Sequence, residues 1–189
     1  MRIFAPPFAV AAVLGLIAAS AHAQGAPVQD SGDPPQASLL PPKVMSTEHP
    51  DEEAVEPYAR SNANAGAAPF EGTALYEAFH GAGGVSRIVD GFVQRNITDP
   101  RIMGQFAATD LVRLKRILNE QFCYILGGGC AYTGRDMASS HAQLGSQPAD
   151  MAAIVENLQA AMRDEGIPFA TQNRFLAKLA PMKADVVTR

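Results

Sequence analysis

Beyond residue 70, this chain of 189 residues predicts an all-α domain. Three observations carry that reading. Apolar side chains recur at the three- and four-residue spacing that builds one helix face. Glycine and proline clusters punctuate the chain at helix-length intervals. No strand-like alternation appears after residue 70.

Taken in order, Thr73 opens a short helix with Tyr76 and Glu77 that runs to Phe79, where Gly81, Gly83 and Gly84 are expected to break it. Val85, Ile88, Val89, Phe92 and Val93 then share one face of a longer helix, which Asp99-Pro100 closes. Ile102, Met103 and Phe106 form a short apolar corner. Thr109 or Asp110 can cap the next helix, where Leu111, Leu114, Leu118, Phe122 and Ile125 line up. Gly127-Gly128-Gly129 ends that helix. A short helix carrying Met137 and His141 follows and stops at Gly145. After Pro148, Met151, Ile154, Val155, Leu158 and Met162 define a strongly amphipathic helix, and Gly166-Ile167-Pro168 makes a turn. The last helix uses Gln172, Phe175, Leu176 and Leu179, with a kink or early end expected near Pro181.

The chain before this domain divides in two. Met1-Arg2 is followed by an apolar run from Ile3 to Ser20, and Ala21-His22-Ala23 offers the small-x-small pattern of a signal-peptidase site. Pro6 and Pro7 shorten the usable apolar helix below the roughly 20 residues needed to span a bilayer. Residues 1–23 are therefore expected to be a cleaved signal peptide rather than an anchor, with the mature protein periplasmic or secreted and no stable membrane span left. Residues 24–70 hold eight of the 14 prolines and the acidic run Asp51-Glu52-Glu53, with no sustained apolar period. That composition predicts a flexible tether, and the folded domain is expected to fill 71–189.

Charge narrows the function. With 15 Lys and Arg against 19 Asp and Glu, the net charge of -4 leaves no basic footprint for nucleic acid. In an oxidising compartment the two cysteines, Cys123 and Cys130, can pair if the glycine-rich turn bends the chain back; two free thiols are the alternative. No second Cys or His pair has zinc-ligand spacing, and the haem-attachment pattern Cys-x-x-Cys-His is absent.

Six or so short helices with glycine at their ends pack loosely unless a large apolar object fills the middle. Haem is one such object, needing a neutral imidazole and apolar side chains on both faces. His141, one turn after Met137, is placed to supply the imidazole. The break at Gly83-Gly84, then Phe92, Asp99-Pro100, Phe106, Leu126-Gly127-Gly128, Tyr132-Thr133-Gly134-Arg135-x-Met137 and His141 resembles a group I truncated haemoglobin over residues 73–187. That resemblance implies a two-over-two helical sandwich around a non-covalent b-type haem, with His141 on the iron and Phe106 against the ring. Phe92, Leu114, Leu118 and Phe122 would cover one side; Met137, Leu144, Met151, Ile154 and Leu158 would line the other side and rim. Arg135, Lys115 and Arg116 are candidates for the propionates, as is the hydroxyl of Tyr132.

The chain departs from the family where bound gas is held. Many members carry a tyrosine where Val93 stands, and often a glutamine at Leu118 and a basic residue at Ile117. Bound dioxygen carries negative charge on its outer atom. Losing a charge-assisted hydrogen bond of about 1.5–3 kcal/mol weakens its retention roughly 10- to 150-fold. Gln121 shares the face of Leu114 and Leu118, so it stands as a replacement donor, an entry-channel residue or a solvent-facing side chain. The expectation is a five-coordinate iron with a mostly apolar distal pocket of Val93, Leu114, Leu118 and Gln121, binding dioxygen, nitric oxide or carbon monoxide. Two alternatives stand beside it. One is a nitric oxide dioxygenase or peroxidase-like enzyme, which needs an unknown redox partner; the other is a gas sensor acting on a separate protein.

Overall fold

A computed structural model describes residues 44–189. The expected signal peptide and the first part of the expected tether lie outside the described residues. Seven α-helices are found among the described residues: α1 (Ala74–Ala78), α2 (Gly81–Thr98), α3 (Leu111–Ile125), α4 (Met137–His141), α5 (Pro148–Asp164), α6 (Phe169–Leu179) and α7 (Lys183–Val186). Single 3-10 turns form at Asn62–Ala65, Met103–Phe106 and Ala180–Met182. The described residues hold no β-strand, and pairing is limited to one isolated antiparallel bridge between Met45 and Glu53. α3 packs on α2, α6 packs on α5, and α2 crosses α5, so two helix pairs lie one over the other. This is the two-over-two arrangement.

The apolar face of α2 holds the centre. Val85, Ile88, Val89, Phe92 and Val93 are all buried there, each contributing about 1.5–3 kcal/mol of burial. Phe175 from α6 makes T-shaped contacts with two rings, Phe79 at 5.3 Å and Phe122 at 5.0 Å between centroids. Helix ends follow their capping residues. Asp110 Oδ1 accepts from the amides of Val112 and Arg113 at 3.0 and 3.1 Å to start α3, a cap of about 1 kcal/mol. Pro148 opens α5, and the Gln147 amide donates to Asp150 Oδ2 at 2.9 Å.

Two expectations about elements hold in part. α1 ends at Ala78, and Gly81, with φ +61, stands at the expected break, but Gly83 and Gly84 lie inside the first turn of α2. Gly84 is required by contact, because a Cβ there would sit 2.0 Å from the Phe79 carbonyl oxygen. At the other end α6 stops at Leu179, the early end expected near Pro181, which lies in a 3-10 turn; the helix that follows, α7, is not among the expected elements. Pro181 lacks the amide that continued α-helix would need, yet tolerates the first turn of a new element.

The larger change concerns residues 44–70. Composition makes them a flexible tether, whereas the described part of that segment is a strap laid along the helices. Ala65 is fully buried and Glu52 is 2% exposed. The Phe70 amide donates to the Ile125 carbonyl at 2.8 Å, and Asn62 Oδ1 accepts from the Tyr132 amide at 2.8 Å. A segment without an apolar face of its own can still be ordered when folded helices offer it partners, here mostly polar ones.

Candidate functional site

Between the helix pairs lies a cavity of about 840 Å³, inside the range of roughly 300–1,000 Å³ typical of ligand pockets. Its wall from α2 and α3 is apolar in the main, with Phe92, Leu114, Ile117, Leu118 and Phe122. Phe106 comes from the 3-10 turn before α3. Met137, His141 and Leu144 come from α4 and the turn after it, and Met151, Ile154 and Leu158 from α5. Leu144 also reaches the surface, at 42% exposure.

His141 is set by its own helix. Its Nδ1 lies 2.8 Å from the carbonyl oxygen of Met137, one turn earlier. With the hydrogen on Nδ1 donating to that carbonyl, Nε2 keeps its lone pair. α4 itself is short and held at its start, where Asp136 Oδ1 accepts from the Ser139 amide at 2.8 Å. Ahead of it, Tyr132 is buried and donates its hydroxyl to the Arg135 carbonyl at 3.0 Å. Burial, with the nearby Tyr58, Glu120 and Asp136, holds that phenol neutral well above its ordinary range. Gly134 is obligatory under it: a Cβ would stand 2.2 Å from the Tyr132 oxygen. Cys123 and Cys130 are joined in a disulfide with Cα atoms 5.7 Å apart, tying the end of α3 to the loop that leads to Tyr132.

Most side chains singled out from the sequence meet at this cavity, and three do not. Val93 does not line it; it is 1% exposed and its methyl groups are taken up by the core. A valine ends one bond beyond Cβ, and at this position that length stops within the helix-packing layer. Lys115 is paired with Asp90 at 2.7 Å. Arg116 is committed to Glu52 at 2.6 Å, to Glu120 at 2.7 Å and to the Thr133 hydroxyl at 2.8 Å. Neither cation borders the cavity. Gln121 does border it, but buried at 7% exposure rather than solvent-facing. Its Nε2 donates to the Ala65 carbonyl at 2.9 Å, so the strap takes this donor.

Other lining residues went unread in the sequence. Val55 and Tyr58 reach the cavity from the strap, Arg113 from α3, Lys183 from α7 and Asn96 from α2. Arg135 lines it as well, stacked 5.0 Å over the Tyr58 ring and donating to the Glu56 carbonyl at 2.9 Å. Helical spacing gave a signal for Asn96 alone, since it falls one turn after Phe92. Nothing in a proline-rich segment announces Tyr58.

A flat macrocycle with two carboxylates needs an apolar slot, one nitrogen ligand and cations at an edge. The residues present fit that group, through His141, the apolar walls, and Arg135 and Lys183 at the edge; Arg113 also borders the cavity, but its guanidinium is paired with Glu52 and Asp110. Among the described residues no group of three or more His, Cys, Asp or Glu is placed to hold a bare metal ion.

The two-over-two helices and the one imidazole that lines the cavity among the described residues are together those of a compact globin. The model of the bacterial-like globin family matches residues 74–188, and the chain belongs to that family. It is similar to the group 1 truncated hemoglobin GlbN of Mycolicibacterium paratuberculosis, with 28% identity over 118 residues covering 62% of this chain and 87% of the relative. With GlbN of Synechocystis sp. it shares 32% identity over 98 residues, 50% of this chain and 79% of the relative. Among solved structures, truncated hemoglobin from Tetrahymena pyriformis aligns with a TM-score of 0.59 at 24% identity, over 61% of this chain and 98% of that one. The 2/2 hemoglobin from Synechococcus sp. PCC 7002, solved in the cyanomet state with covalently attached heme, aligns with a TM-score of 0.57 at 25% identity, over 61% and 98%.

Proposed function

We propose that this globin holds a haem non-covalently through Nε2 of His141 and binds a diatomic gas on the other face of the ring. Bound there, the haem would supply an iron centre able to take dioxygen, nitric oxide or carbon monoxide. The observation that carries the reading is the bond from His141 Nδ1 to the Met137 carbonyl at 2.8 Å, which orients an imidazole in the wall of a large apolar cavity. No histidine or methionine of α2 or α3 lines the cavity, which supports a single protein ligand and an open position for gas. Apolar side chains there exclude water. Both cysteines are spent in one disulfide, so neither offers a thiol for covalent attachment.

Binding is favoured over turnover. A dioxygenase would need a steady supply of reductant from a separate protein. The disulfide supports an oxidising compartment, in keeping with export directed by residues 1–23.

Absorption spectroscopy tests the assignment. The wild type supplied with haem gives a Soret band and a five-coordinate ferrous spectrum. His141→Gly loses the proximal-histidine signature and regains it when imidazole is added. An unchanged spectrum in His141→Gly, or a six-coordinate low-spin ferrous wild type, overturns it. Recovery of the uncleaved chain from the cytoplasmic fraction overturns export.

A further inference from the structure

Four buried polar side chains line the cavity: Asn96, Gln121, Tyr132 and Ser146. Three have their donors taken. Gln121 Nε2 donates to the Ala65 carbonyl at 2.9 Å and meets the sulfurs of Met137 and Met182 at 3.6 and 3.9 Å, Tyr132 Oη donates to the Arg135 carbonyl at 3.0 Å, and Ser146 Oγ to Gln105 Oε1 at 3.1 Å. Asn96 differs. It is 1% exposed, it sits on α2 one turn after Phe92, and its amide nitrogen has no acceptor among the described residues. Its oxygen, by contrast, accepts from Asn157 Nδ2 at 3.0 Å.

The direction of that amide is imposed from outside the cavity. Asn157 Nδ2 also lies 3.1 Å from Asp99 Oδ2. The side chain of Arg101 donates to both oxygens of Asp99, and the backbone of Arg101 adds a further bond; together they keep the carboxyl ionised far below its ordinary range. An ionised carboxylate can only accept, so Asn157 must turn its nitrogen toward it. The same nitrogen then faces Asn96, which must answer with its oxygen. Nδ2 of Asn96 is left at the opposite edge of the amide group from Oδ1, in a residue that lines the cavity.

We propose that Asn96 is the hydrogen-bond donor this cavity presents to its diatomic ligand, with Asn157 and Asp99 setting the polarity of its amide. The inference rests on the haem reading above. It also answers the loss of donors at Val93 and Leu118: the donor has moved to another position of the same helix as Val93. Dioxygen, which gathers negative charge on its outer atom when bound, gains most from such a group; carbon monoxide gains less but reports the field in its stretching frequency.

The test uses holoprotein carrying carbon monoxide and, separately, dioxygen. In wild type, exchange into D2O shifts the carbon monoxide stretching band, since an exchangeable hydrogen touches the ligand. Asn96→Leu moves the band to higher frequency and speeds dioxygen release about tenfold or more, the loss expected for one hydrogen bond to a charged acceptor. Asn157→Leu keeps Asn96 but frees its amide to turn, so the band broadens or splits. A normal Soret band with no D2O shift and an unmoved band in Asn96→Leu overturns the inference while leaving haem binding intact. A wild type that gives no carbon monoxide band fails the haem reading itself. If Asn96→Leu does not fold, the D2O shift and Asn157→Leu still decide.

Discussion

The Glu52 carboxylate receives Nε and Nη2 of Arg116 at 2.6 and 2.9 Å, a two-point clamp between residues 64 positions apart. Glu52 is 2% exposed, and Arg113 adds a second guanidinium at 3.5 Å. This clamp fastens the strap that carries Val55 and Tyr58 to the cavity.

Glu52→Gln keeps the shape but removes the charge, and is expected to loosen the strap by roughly 1.5–3 kcal/mol, the worth of a hydrogen bond to a charged group. Limited proteolysis reads this as faster cleavage within residues 44–70 with the helices intact. Arg116, through its hydrogen bonds, holds the Glu52 carboxyl below its ordinary range. A depressed folded value means the clamp contributes fully above the unfolded carboxyl value near ~4.3. It is lost only as pH falls through the lower folded value. Protection of the strap should therefore persist below pH ~4 in wild type.

Removing the disulfide is expected to destabilise the domain. Its short loop constrains the unfolded chain by about 2–3 kcal/mol. For a chain of this size that amounts to roughly 5–10 °C in melting temperature. Calorimetry of Cys123→Ser/Cys130→Ser beside wild type, both in the same haem state, measures it. An equal melting point in the two would show that the bond constrains nothing the fold does not already hold.

Gly134→Ala places a methyl group against Tyr132 Oη and 2.9 Å from Ile117 Cγ2. The phenol must leave the Arg135 carbonyl or the loop must shift. Overpacking of this kind costs about 1–3 kcal/mol. Because that loop leads into α4, haem transfer to an acceptor apoglobin should quicken along with the loss of stability. Stability lost with an unchanged transfer rate would separate Tyr132 from the site.

Glu165 joins α5 to α2 and its cap: its carboxylate meets Arg87 at 2.6 Å and His80 at 2.8 Å. Those partners, Arg87 foremost, bring its pKa down to about 2. Both are substantially exposed, so the expected gain at neutral pH is small, about 0.2–1 kcal/mol. The sign is set by the depressed value. The difference between wild type and Glu165→Gln in urea unfolding should be full above pH ~4.3 and should vanish as pH approaches 2. A gap that grew in acid would contradict the pairing.

The helices and most of the cavity were legible in the chain for a simple reason. Burial on one helix face repeats every three to four residues, so Val85 through Phe92 and Leu114 through Ile125 declare both an element and its inward side. The local chemistry of α4 is equally near in sequence, with Asp136 at its cap and His141 one turn from the carbonyl that orients it. Glycines at positions 83 and 84 declared only a change of element; whether they broke a helix or began one depended on Phe79, whose carbonyl Gly84 must approach.

The sequence alone determined an all-α domain with one histidine set among apolar helix faces, because periodicity and capping are interactions between residues a few positions apart. Tertiary structure decided the rest. It turned residues 44–70 from a tether into a strap, because Glu52 finds its guanidinium partners 61 and 64 residues later. It withdrew Lys115 and Arg116 from the cavity by giving them carboxylates, buried Val93 in the core and committed Gln121 to Ala65. It paired the Asn96 oxygen with Asn157 in the wall of a cavity that no local pattern describes. Partners for charged and amide groups are chosen by proximity in space, and a polar side chain carries no period from which that proximity could be read.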